Sequence, residues 1–420
     1  MKSYLRCSVA GCAATLDLHD RPLACPRCGD LLEVAMDSIE ADAAVLKRRW
    51  LERRTSFSSR DRSGVWRFRE LLPDTYSASG VVTLAEGNTP VVAGRKTAEW
   101  AGVKHLWFKH LGWNPTGSFK DLGMTVGMTE AKFSGAKAVA CASTGNTAAS
   151  LAAYAARAGV TGRVYLPAGQ ASNNKLAQAL DFGAEIVQIE GSFDDALNRL
   201  LESDDPDLYF LNSINPFRVE GQKTAMFELL EQFNWQPPDY LVVPGGNLGN
   251  SSAFGKAFAE LCRFGFIDRV PRMIIVQAEG ANPLARMWNA HEAELTPLAH
   301  PETVATAIRI GNPRSWKKAL RGVEATGGAV MDVTDEEIGE AKTLIGQDGI
   351  GCEPASATTL AGIRKLTSEG KLDRDASIVA ILTGHVLKDT DYIIKAQEKR
   401  QARKDAAAGS KWEGTLAPQA

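Results

Sequence analysis

The chain has 420 residues, 44% of them hydrophobic and 23% charged, and a formal net charge of -2. This length and composition predict a large core in roughly two to three domains, and the near-neutral charge argues against a nucleic-acid partner. No signal peptide and no apolar run that could cross a bilayer are visible, so the sequence predicts a cytoplasmic protein.

Four of the seven cysteines lie within the first 28 residues. Cys25-Pro-Arg-Cys28 has the spacing of a zinc-ribbon knuckle, in which one turn directs two thiolates to a metal, whereas Cys7 and Cys12 are separated by four residues, which is less typical. We predict a zinc-ribbon-like module over residues 1–37, with Cys7, Cys12, Cys25 and Cys28 as ligands of a structural zinc. A metal-free hairpin with reduced thiols is the alternative.

The other cysteines, Cys141, Cys262 and Cys352, are scattered in apolar contexts. We expect them to be reduced and buried as small hydrophobic residues. His19 is a possible substitute metal ligand, although a role in a turn is the simpler interpretation. A charged, helical stretch is predicted over residues 38–72, and its role is not evident from the sequence.

A long alternation of strands and helices follows from about Trp107 onward. Such an alternation is typical of parallel sheets that carry helices on both faces. The strands are predicted at residues 136–142, 163–166, 185–190, 209–211, 240–243, 273–278 and 377–382, and intervening helices at 147–157, 174–180, 194–202 and 221–233. From about residue 395 the chain is expected to fray and then to form a disordered tail.

Lys120 follows a Pro-Thr-Gly-Ser-Phe turn and precedes a helix-like run. A lysine held beside small hydroxyl residues in such a turn is suited to lose its proton and attack a carbonyl. Taken alone, the segment could equally be a surface loop with a solvated lysine. The case for chemistry therefore depends on further loops downstream.

The glycine loop, residues 244–250, has the sequence Pro-Gly-Gly-Asn-Leu-Gly-Asn and lies between a predicted strand and a predicted helix. Its glycines let the backbone N–H groups approach an anion, and the helix dipole adds to the attraction. The pattern is neither a Walker A motif nor a G-x-G-x-x-G motif. We predict a phosphate site, with an ordinary tight turn as the alternative.

Two more strand ends carry hydroxyl groups. Ser143-Thr144-Gly145-Asn146-Thr147 opens an alanine-rich helix and suits a carboxylate, although an ordinary helix cap would also explain the hydroxyls. Thr383 ends the strand at 377–382 and could bond a heterocyclic nitrogen. A reactive lysine, a phosphate loop, a carboxylate loop and this hydroxyl together fit pyridoxal phosphate (PLP) acting on an amino acid.

These motifs resemble the threonine synthases, and among them the plant-type branch, within the fold type II PLP-dependent enzymes. The matching segments include residues 109–125, 141–146, 212–224, 243–250 and 307–311, and the resemblance extends from about Ala85 to about Lys388. It implies a tryptophan synthase β-like α/β fold with two α/β domains and a cleft between them. The larger domain would comprise 38–130 and 240–395, the smaller 131–239, and the tail 396–420.

The resemblance also implies roles for individual residues. Lys120 would form the internal aldimine beside Phe119, Asn146 would bond the phenolic oxygen of PLP, and Thr383 would face its ring nitrogen. The PLP phosphate would be held by Gly246, Asn247, Leu248, Gly249 and Asn250. The substrate carboxylate would be bound by Ser143, Thr144 and Thr147, and the substrate phosphate by Asn212, Ser213 and Arg218, together with Lys109.

The implied reaction converts O-phospho-L-homoserine and water into L-threonine and phosphate in threonine biosynthesis, in a homodimeric enzyme. A related PLP lyase on the same fold, such as cysteate synthase or a threonine/serine dehydratase, is the nearest alternative. A zinc-ribbon interaction protein with an inactive α/β body is a third, which the intact lysine and loops argue against. Regulation by S-adenosylmethionine, known in plant-type relatives, is not assignable from the sequence.

Overall fold

The computed structural model describes residues 3–73, 76–168, 173–191, 193–398 and 401–402. Most of the predicted C-terminal tail lies outside these described residues. The strands, in chain order, are β1 (Ser3–Cys7), β2 (Thr15–Leu16), β3 (Leu32–Met36), β4 (Val91–Ala93), β5 (His105–His110), β6 (Ala138–Ala142), β7 (Thr161–Pro167), β8 (Glu185–Ile189), β9 (Leu208–Phe210), β10 (Tyr240–Pro244), β11 (Arg272–Ala278), β12 (Ala329–Val333) and β13 (Ser377–Leu382).

The helices are α1 (Ala43–Arg53), α2 (Ser59–Arg62), α3 (Lys96–Ala101), α4 (Lys120–Phe133), α5 (Asn146–Ala158), α6 (Asn173–Asp181), α7 (Phe193–Leu201), α8 (Pro216–Gln232), α9 (Gly249–Arg263), α10 (Pro283–Ala290), α11 (Trp316–Ala325), α12 (Asp335–Gln347) and α13 (Pro354–Ser368). Short 3-10 turns lie at Trp66–Leu71, Ala78–Gly80, Leu111–Trp113, Thr306–Ile308 and Val386–Asp389, and residues 390–398 are also helical. Over the part of the chain that is described, no helix is both long and apolar enough to cross a bilayer.

Two largely parallel sheets form the body of the molecule. The larger has the strand order β12-β11-β10-β13-β5-β4, with β4 antiparallel to its neighbour, and the smaller is the parallel sheet β8-β7-β6-β9. Each strand and helix predicted between residues 136 and 382 is present, with boundaries that differ by a few residues. The α/β fold with helix-covered parallel sheets is therefore confirmed.

The larger sheet is buried on both faces because its strands alternate between two apolar clusters. Leu241 and Val243 of β10 pack with the aromatic residues of α9, whereas Val242 packs on the opposite face with α13. A continuous apolar strand is what a parallel sheet covered on both sides requires. The polar groups of the site consequently lie beyond the strand ends, where the sheet core stops.

The predicted helical stretch at 38–72 is interrupted rather than continuous. α1 ends at Arg53, and α2 is followed by Ser63, whose hydroxyl accepts hydrogen bonds from the backbone of Val65 and Trp66. At Gly64 a Cβ would lie 2.4 Å from the backbone nitrogen of Asn88, so the chain touches a neighbouring loop there. This close backbone approach explains the break.

The N-terminal module is an antiparallel sheet of order β2-β1-β3 that contacts α8 and shares an apolar cluster with α9. Leu5, Leu32 and Val34 belong to the same apolar cluster as Phe254 and Phe258 of α9. The module therefore shares a core with the body and does not have one of its own.

Helices α4 and α8 cross at a glycine contact that determines where Arg218 lies. A Cβ on Gly221 would be 1.8 Å from the carbonyl oxygen of Leu122, and one on Gly123 would be 2.6 Å from the carbonyl oxygen of Arg218. Side chains at these two positions would separate the helices. Their absence lets Arg218 approach Lys120.

Candidate active site

The turn before Lys120 is held by a buried carboxylate. Asp121 accepts hydrogen bonds from the Thr116 amide at 2.7 Å, the Thr116 hydroxyl at 2.6 Å and the Ser150 hydroxyl at 2.6 Å. Burial raises the pKa of Asp121 to about 6, although these donors oppose the shift. Asp121 thus joins the turn to α5 and orients Lys120, which begins α4.

Lys120 is half-buried, and its Nζ lies 3.8 Å from the centre of the Phe119 ring. Burial, reinforced by the Arg218 guanidinium, lowers the pKa of Lys120 to about 7, while the Glu353 carboxylate opposes that shift. Near neutral pH a large fraction of the amine is therefore uncharged and nucleophilic. The reactive role of the lysine stays a prediction, and its lowered pKa is consistent with that role.

Arg218 is a buried cation beside Lys120. Its Nη1 donates to the carbonyl oxygen of Leu211 at 2.9 Å, whereas its Nε has no hydrogen-bond partner among the described residues. Burial lowers the pKa of Arg218 to about 10, so the side chain is still charged at neutral pH. A buried guanidinium with an unused donor suits a phosphate.

The glycine loop connects β10 to α9 and lines a small cavity together with Lys120 and Arg218. Leu248 has φ of 63°, and α9 begins at Gly249 without a side-chain cap, so the loop and first-turn N–H groups are available to an anion. Asn247 connects the loop to its surroundings: its Nδ2 donates to Ser213 Oγ at 2.9 Å and its Oδ1 accepts from the Arg314 amide at 2.8 Å. The loop residues Gly246, Asn247, Leu248, Gly249 and Asn250 all line this cavity.

Asn146 and Thr383 are joined by a carboxylate that sequence reasoning missed. Glu353 Oε2 accepts from Asn146 Nδ2 at 2.9 Å, and Glu353 Oε1 accepts from the Thr383 hydroxyl at 3.0 Å. Burial raises the pKa of Glu353, although both hydrogen bonds and the charge of Lys120 oppose the shift. The sequence signal was weak, because an acidic residue next to a proline is common at the start of a helix.

A cleft of about 1380 Å³ opens above Lys120 between the two parallel sheets. It is lined by the predicted carboxylate loop, by Asn212 and Ser213, and by the segment from Thr306 to Arg314. The structure therefore brings the following predicted substrate residues to one cleft: Ser143, Thr144, Thr147, Asn212 and Ser213. Asn212 also accepts from the Ala142 amide at 3.0 Å, which fixes its side chain at the end of β6.

The structure does not bring Lys109 to this cleft. Its Nζ is fully buried and donates to Glu228, to the Thr89 carbonyl oxygen at 2.7 Å and to Gln232 Oε1 at 2.8 Å. These partners occupy the ammonium group within the protein core. The prediction that Lys109 helps to bind the substrate phosphate is therefore corrected.

The four N-terminal cysteines form a cluster in which all Sγ atoms lie within 4.8 Å of one another. Cys7 and Cys28 are 3.4 Å apart and Cys12 and Cys25 are 3.6 Å apart. His19 is not part of this cluster, because its Nδ1 lies 3.1 Å from the Glu130 carboxylate.

Among the other cysteines, Cys141 and Cys352 are buried as predicted, but Cys262 is exposed in the last turn of α9.

Residues 82–384 match the sequence profile of the family described as pyridoxal-phosphate dependent enzyme. The chain is 47% identical to the threonine synthase of Methanocaldococcus jannaschii, over 92% of this chain and 94% of that protein. It is 45% identical to the threonine synthase of Mycobacterium tuberculosis, over 75% of this chain and 85% of that protein.

Solved structures with a similar fold are more distant in sequence. The processed threonine deaminase isoform 2 of Solanum lycopersicum aligns with a TM-score of 0.63 at 18% identity, over 88% of this chain and 98% of that chain. Maize serine racemase aligns with a TM-score of 0.61 at 22% identity, over 76% and 94%. These likenesses establish the shared fold and no more.

Proposed function

Because the chain belongs to the threonine synthase family of pyridoxal-phosphate dependent enzymes, we propose that it converts O-phospho-L-homoserine and water into L-threonine and phosphate. Its cofactor is PLP. The main observation behind the proposal is Lys120, a half-buried lysine with a lowered pKa. It lines both the small cavity at the glycine loop and the larger cleft.

The cavity around Lys120 fits PLP. When bound, PLP supplies an aldehyde that an amine can attack and a ring that draws electron density from the substrate carbon. The N–H groups of the glycine loop would hold its phosphate, Asn146 its phenolic oxygen and Thr383 its ring nitrogen. The uncapped start of α9, and the Arg218 Nε that lacks a partner among the described residues, supply donors for anions.

Lys120 would carry the proton transfers of the reaction. Freed from the cofactor by the substrate amine, it would take a proton from the substrate Cα and another from Cβ, so that the phosphate can leave from Cγ, and it would deliver a proton to Cγ. A pKa near neutrality suits such a dual acid and base role. Water then adds at Cβ, and return of a proton to Cα completes L-threonine.

The substrate would lie in the cleft with its two anionic groups apart. We assign its carboxylate to Ser143, Thr144 and Thr147, at the start of α5, where hydroxyls and N–H groups converge. We assign its phosphate to Asn212 and Ser213 in the cleft, together with Arg218 in the adjoining small cavity. Burial of the Arg218 guanidinium strengthens its attraction for a dianion.

We also propose that Cys7, Cys12, Cys25 and Cys28 bind a structural zinc. Four thiolates at about 2.3 Å from one tetrahedral zinc lie about 3.8 Å from one another. The Sγ separations of 3.4 Å and 3.6 Å and the overall limit of 4.8 Å lie close to that spacing. The homodimer, the plant-type branch, the domain boundaries and the cytoplasmic location stay predictions.

Phosphate release with purified protein and PLP tests the function. We expect turnover of O-phospho-L-homoserine with formation of L-threonine, and much slower release from O-phospho-L-serine. Lys120→Ala should lower kcat/KM by about 10³-fold or more, because it removes both the attachment point and the proton carrier. Lys104→Ala, which changes an exposed lysine, is the matched control.

Two results would contradict the assignment. Preferential turnover of O-phospho-L-serine would favour an enzyme of the cysteate synthase kind, and formation of keto acids from L-threonine or L-serine would favour a dehydratase. Borohydride reduction followed by peptide mapping should place the pyridoxyl label on Lys120. A label on another lysine would refute its role.

A further inference from the structure

We propose that the N-terminal four-cysteine module forms part of the substrate cleft, and that the metal ion held by its thiolates fixes this wall in place. The proposal rests on the function and the zinc site proposed above. It assigns a role in substrate binding to a module that the catalytic motifs do not include.

Residues that flank the cysteine knuckle line the cleft. Leu23 and Ala24 precede Cys25, Gly29 and Leu31 follow Cys28, and all four flanking residues line the cavity that contains Lys120. Leu23 is 36% exposed, so its side chain is open to a ligand. One wall of the cleft is therefore built from the two sides of a single metal-binding turn.

Backbone hydrogen bonds close that turn, and its cysteine side chains link it to β1. The Gly29 amide donates to the Cys25 carbonyl oxygen at 2.9 Å, and the Cys25 amide donates to the Asp30 carbonyl oxygen at 2.7 Å. The Cys28 Sγ is 3.4 Å from that of Cys7, which ends β1. A metal ion would join the turn to β1, whereas free thiols provide weak contacts at best.

The module is also connected to a second part of the cleft wall. Asp30 pairs with Lys317 at 2.9 Å, and Arg321 donates to the Ser8 carbonyl oxygen at 3.0 Å, both from α11. The segment immediately before α11 lines the cleft, and the amide of Arg314 in it donates to Asn247 of the glycine loop. A continuous series of contacts thus runs from the cysteine cluster to the cofactor site.

The catalytic groups lie on other elements. Lys120 begins α4, Glu353 precedes α13, and Thr383 follows β13, none of which belongs to the module. Loss of the metal should therefore weaken substrate binding more than the chemical step. The turn would have to be ordered at the moment of binding, and that ordering costs free energy.

Two variants and one control test this role. Cys28→Ser removes the one exposed ligand of the cluster, and Leu23→Ala removes a cleft side chain without touching a ligand. Cys262→Ser changes an exposed cysteine outside the cluster and serves as the control. For each protein we would measure zinc content, PLP content, kcat, and KM for O-phospho-L-homoserine.

We expect Cys28→Ser to lose zinc, to keep its PLP, and to raise KM about tenfold, with a much smaller change in kcat. Leu23→Ala should keep zinc and raise KM about threefold to fivefold, as expected for the loss of an apolar contact. Cys262→Ser should match the wild type. Zinc retained by Cys28→Ser, or a KM unchanged by Leu23→Ala, would overturn the proposal. If Cys28→Ser does not fold, the KM of Leu23→Ala still tests it.

Hydrogen exchange distinguishes this proposal from the proposed reaction. Chelation of zinc should increase amide exchange both in residues 23–31 and in the second part of the wall, residues 306–314, whether or not the substrate is known. If the wild-type protein does not turn over O-phospho-L-homoserine, the proposed function fails. The exchange measurement still tests whether the module is coupled to the cleft wall. Unchanged exchange at residues 306–314 after zinc loss would overturn the proposed coupling.

Discussion

Glu353 has a particular position among the residues of the site, because its carboxylate contacts two proposed cofactor ligands at once. It accepts from Asn146 and Thr383 and acts electrostatically on Lys120. Gly384 permits this approach, since a Cβ there would lie 2.3 Å from the Glu353 carboxyl carbon. Glu353 therefore holds Asn146 and Thr383 in place and also tunes the amine.

Glu353→Gln should shift the pH dependence of cofactor capture to lower pH. The Glu353 charge favours the ammonium form of Lys120, so its removal lowers the Lys120 pKa further below about 7. The neutral, reactive amine then persists to lower pH, by roughly one unit. We would mix the apoprotein with PLP at a series of pH values from about 5 to 9, a range on both sides of the lysine pKa. The measurement is the rate at which the yellow colour appears at each pH.

Glu340→Gln, which changes an exposed glutamate on α12, is the control and should keep the wild-type midpoint. A midpoint that stays in place in Glu353→Gln, or that moves to higher pH, would show that the carboxylate does not act on Lys120. Rates that fall equally at every pH would indicate a positioning effect alone.

The sequence predicted which loops meet but not the pairing of buried charges. The loops around Ser143, Gly246 and Thr383 follow strands of parallel sheets, and the carboxyl ends of such strands share an edge. Whether Lys109 or Arg218 lies beside Lys120 depends on which cation finds an internal carboxylate, and it is Arg218 that lines the small cavity with Lys120. Lys109 has Glu228 on α8, and no local pattern in the sequence reports that long-range partner.

At the scale of elements, the crossing of α4 and α8 joins the lysine to the arginine. Lys120 begins α4 and Arg218 lies in the first turn of α8, which Asn215 caps by accepting from the Phe217 and Arg218 amides. The two helices touch through Gly123 and Gly221. The close approach of Lys120 and Arg218 therefore depends on the two glycines, because a side chain at either position would separate the helices.

Gly221→Ala should destabilise the protein and reduce turnover together. Its new methyl group would meet the Leu122 carbonyl oxygen at 1.8 Å, a backbone atom that cannot move without moving α4. We expect a loss of about 1–3 kcal/mol in the free energy of unfolding and a fall of about 10²-fold in kcat/KM. Urea unfolding and phosphate release measure the two effects.

Gly346→Ala is the matched control, because a Cβ at this position in α12 has no neighbour within 4 Å. It should leave turnover unchanged and increase stability slightly, as expected for alanine in place of glycine in a helix. Wild-type stability in Gly221→Ala would mean that the helices are free to separate.

The strands that the sequence did not predict are those with charged or short segments. β5 contains His105, Lys109 and His110, and its lysine is accommodated in the core by the Glu228 pair. β4 has three residues, and β12 includes Asp332. Periodicity and apolar runs detect strands that bury aliphatic side chains, and they miss strands whose charges are neutralised by distant partners.

At the scale of the whole molecule, the N-terminal module shares one hydrophobic cluster with the catalytic body. Leu5, Leu32 and Val34 cluster with Phe254 and Phe258. Side chains of α9 also donate to the module backbone: Lys256 donates to the Val34 carbonyl oxygen at 2.5 Å, and Arg263 to the Met36 carbonyl oxygen at 2.9 Å. A small sheet attached in this way is not expected to unfold independently.

Removal of zinc should therefore lower the melting temperature of the entire protein in a single transition. Binding of a structural zinc stabilises the folded state. The shared apolar cluster and the ion pairs of Asp30 and Glu33 with α11 couple this stabilisation of the module to the body. Calorimetry with and without a chelator should show one peak that moves down by at least several degrees and returns when zinc is added. Two peaks, with the larger unmoved by the chelator, would mean that the module folds apart from the body and that its contacts with α9 and α11 contribute little.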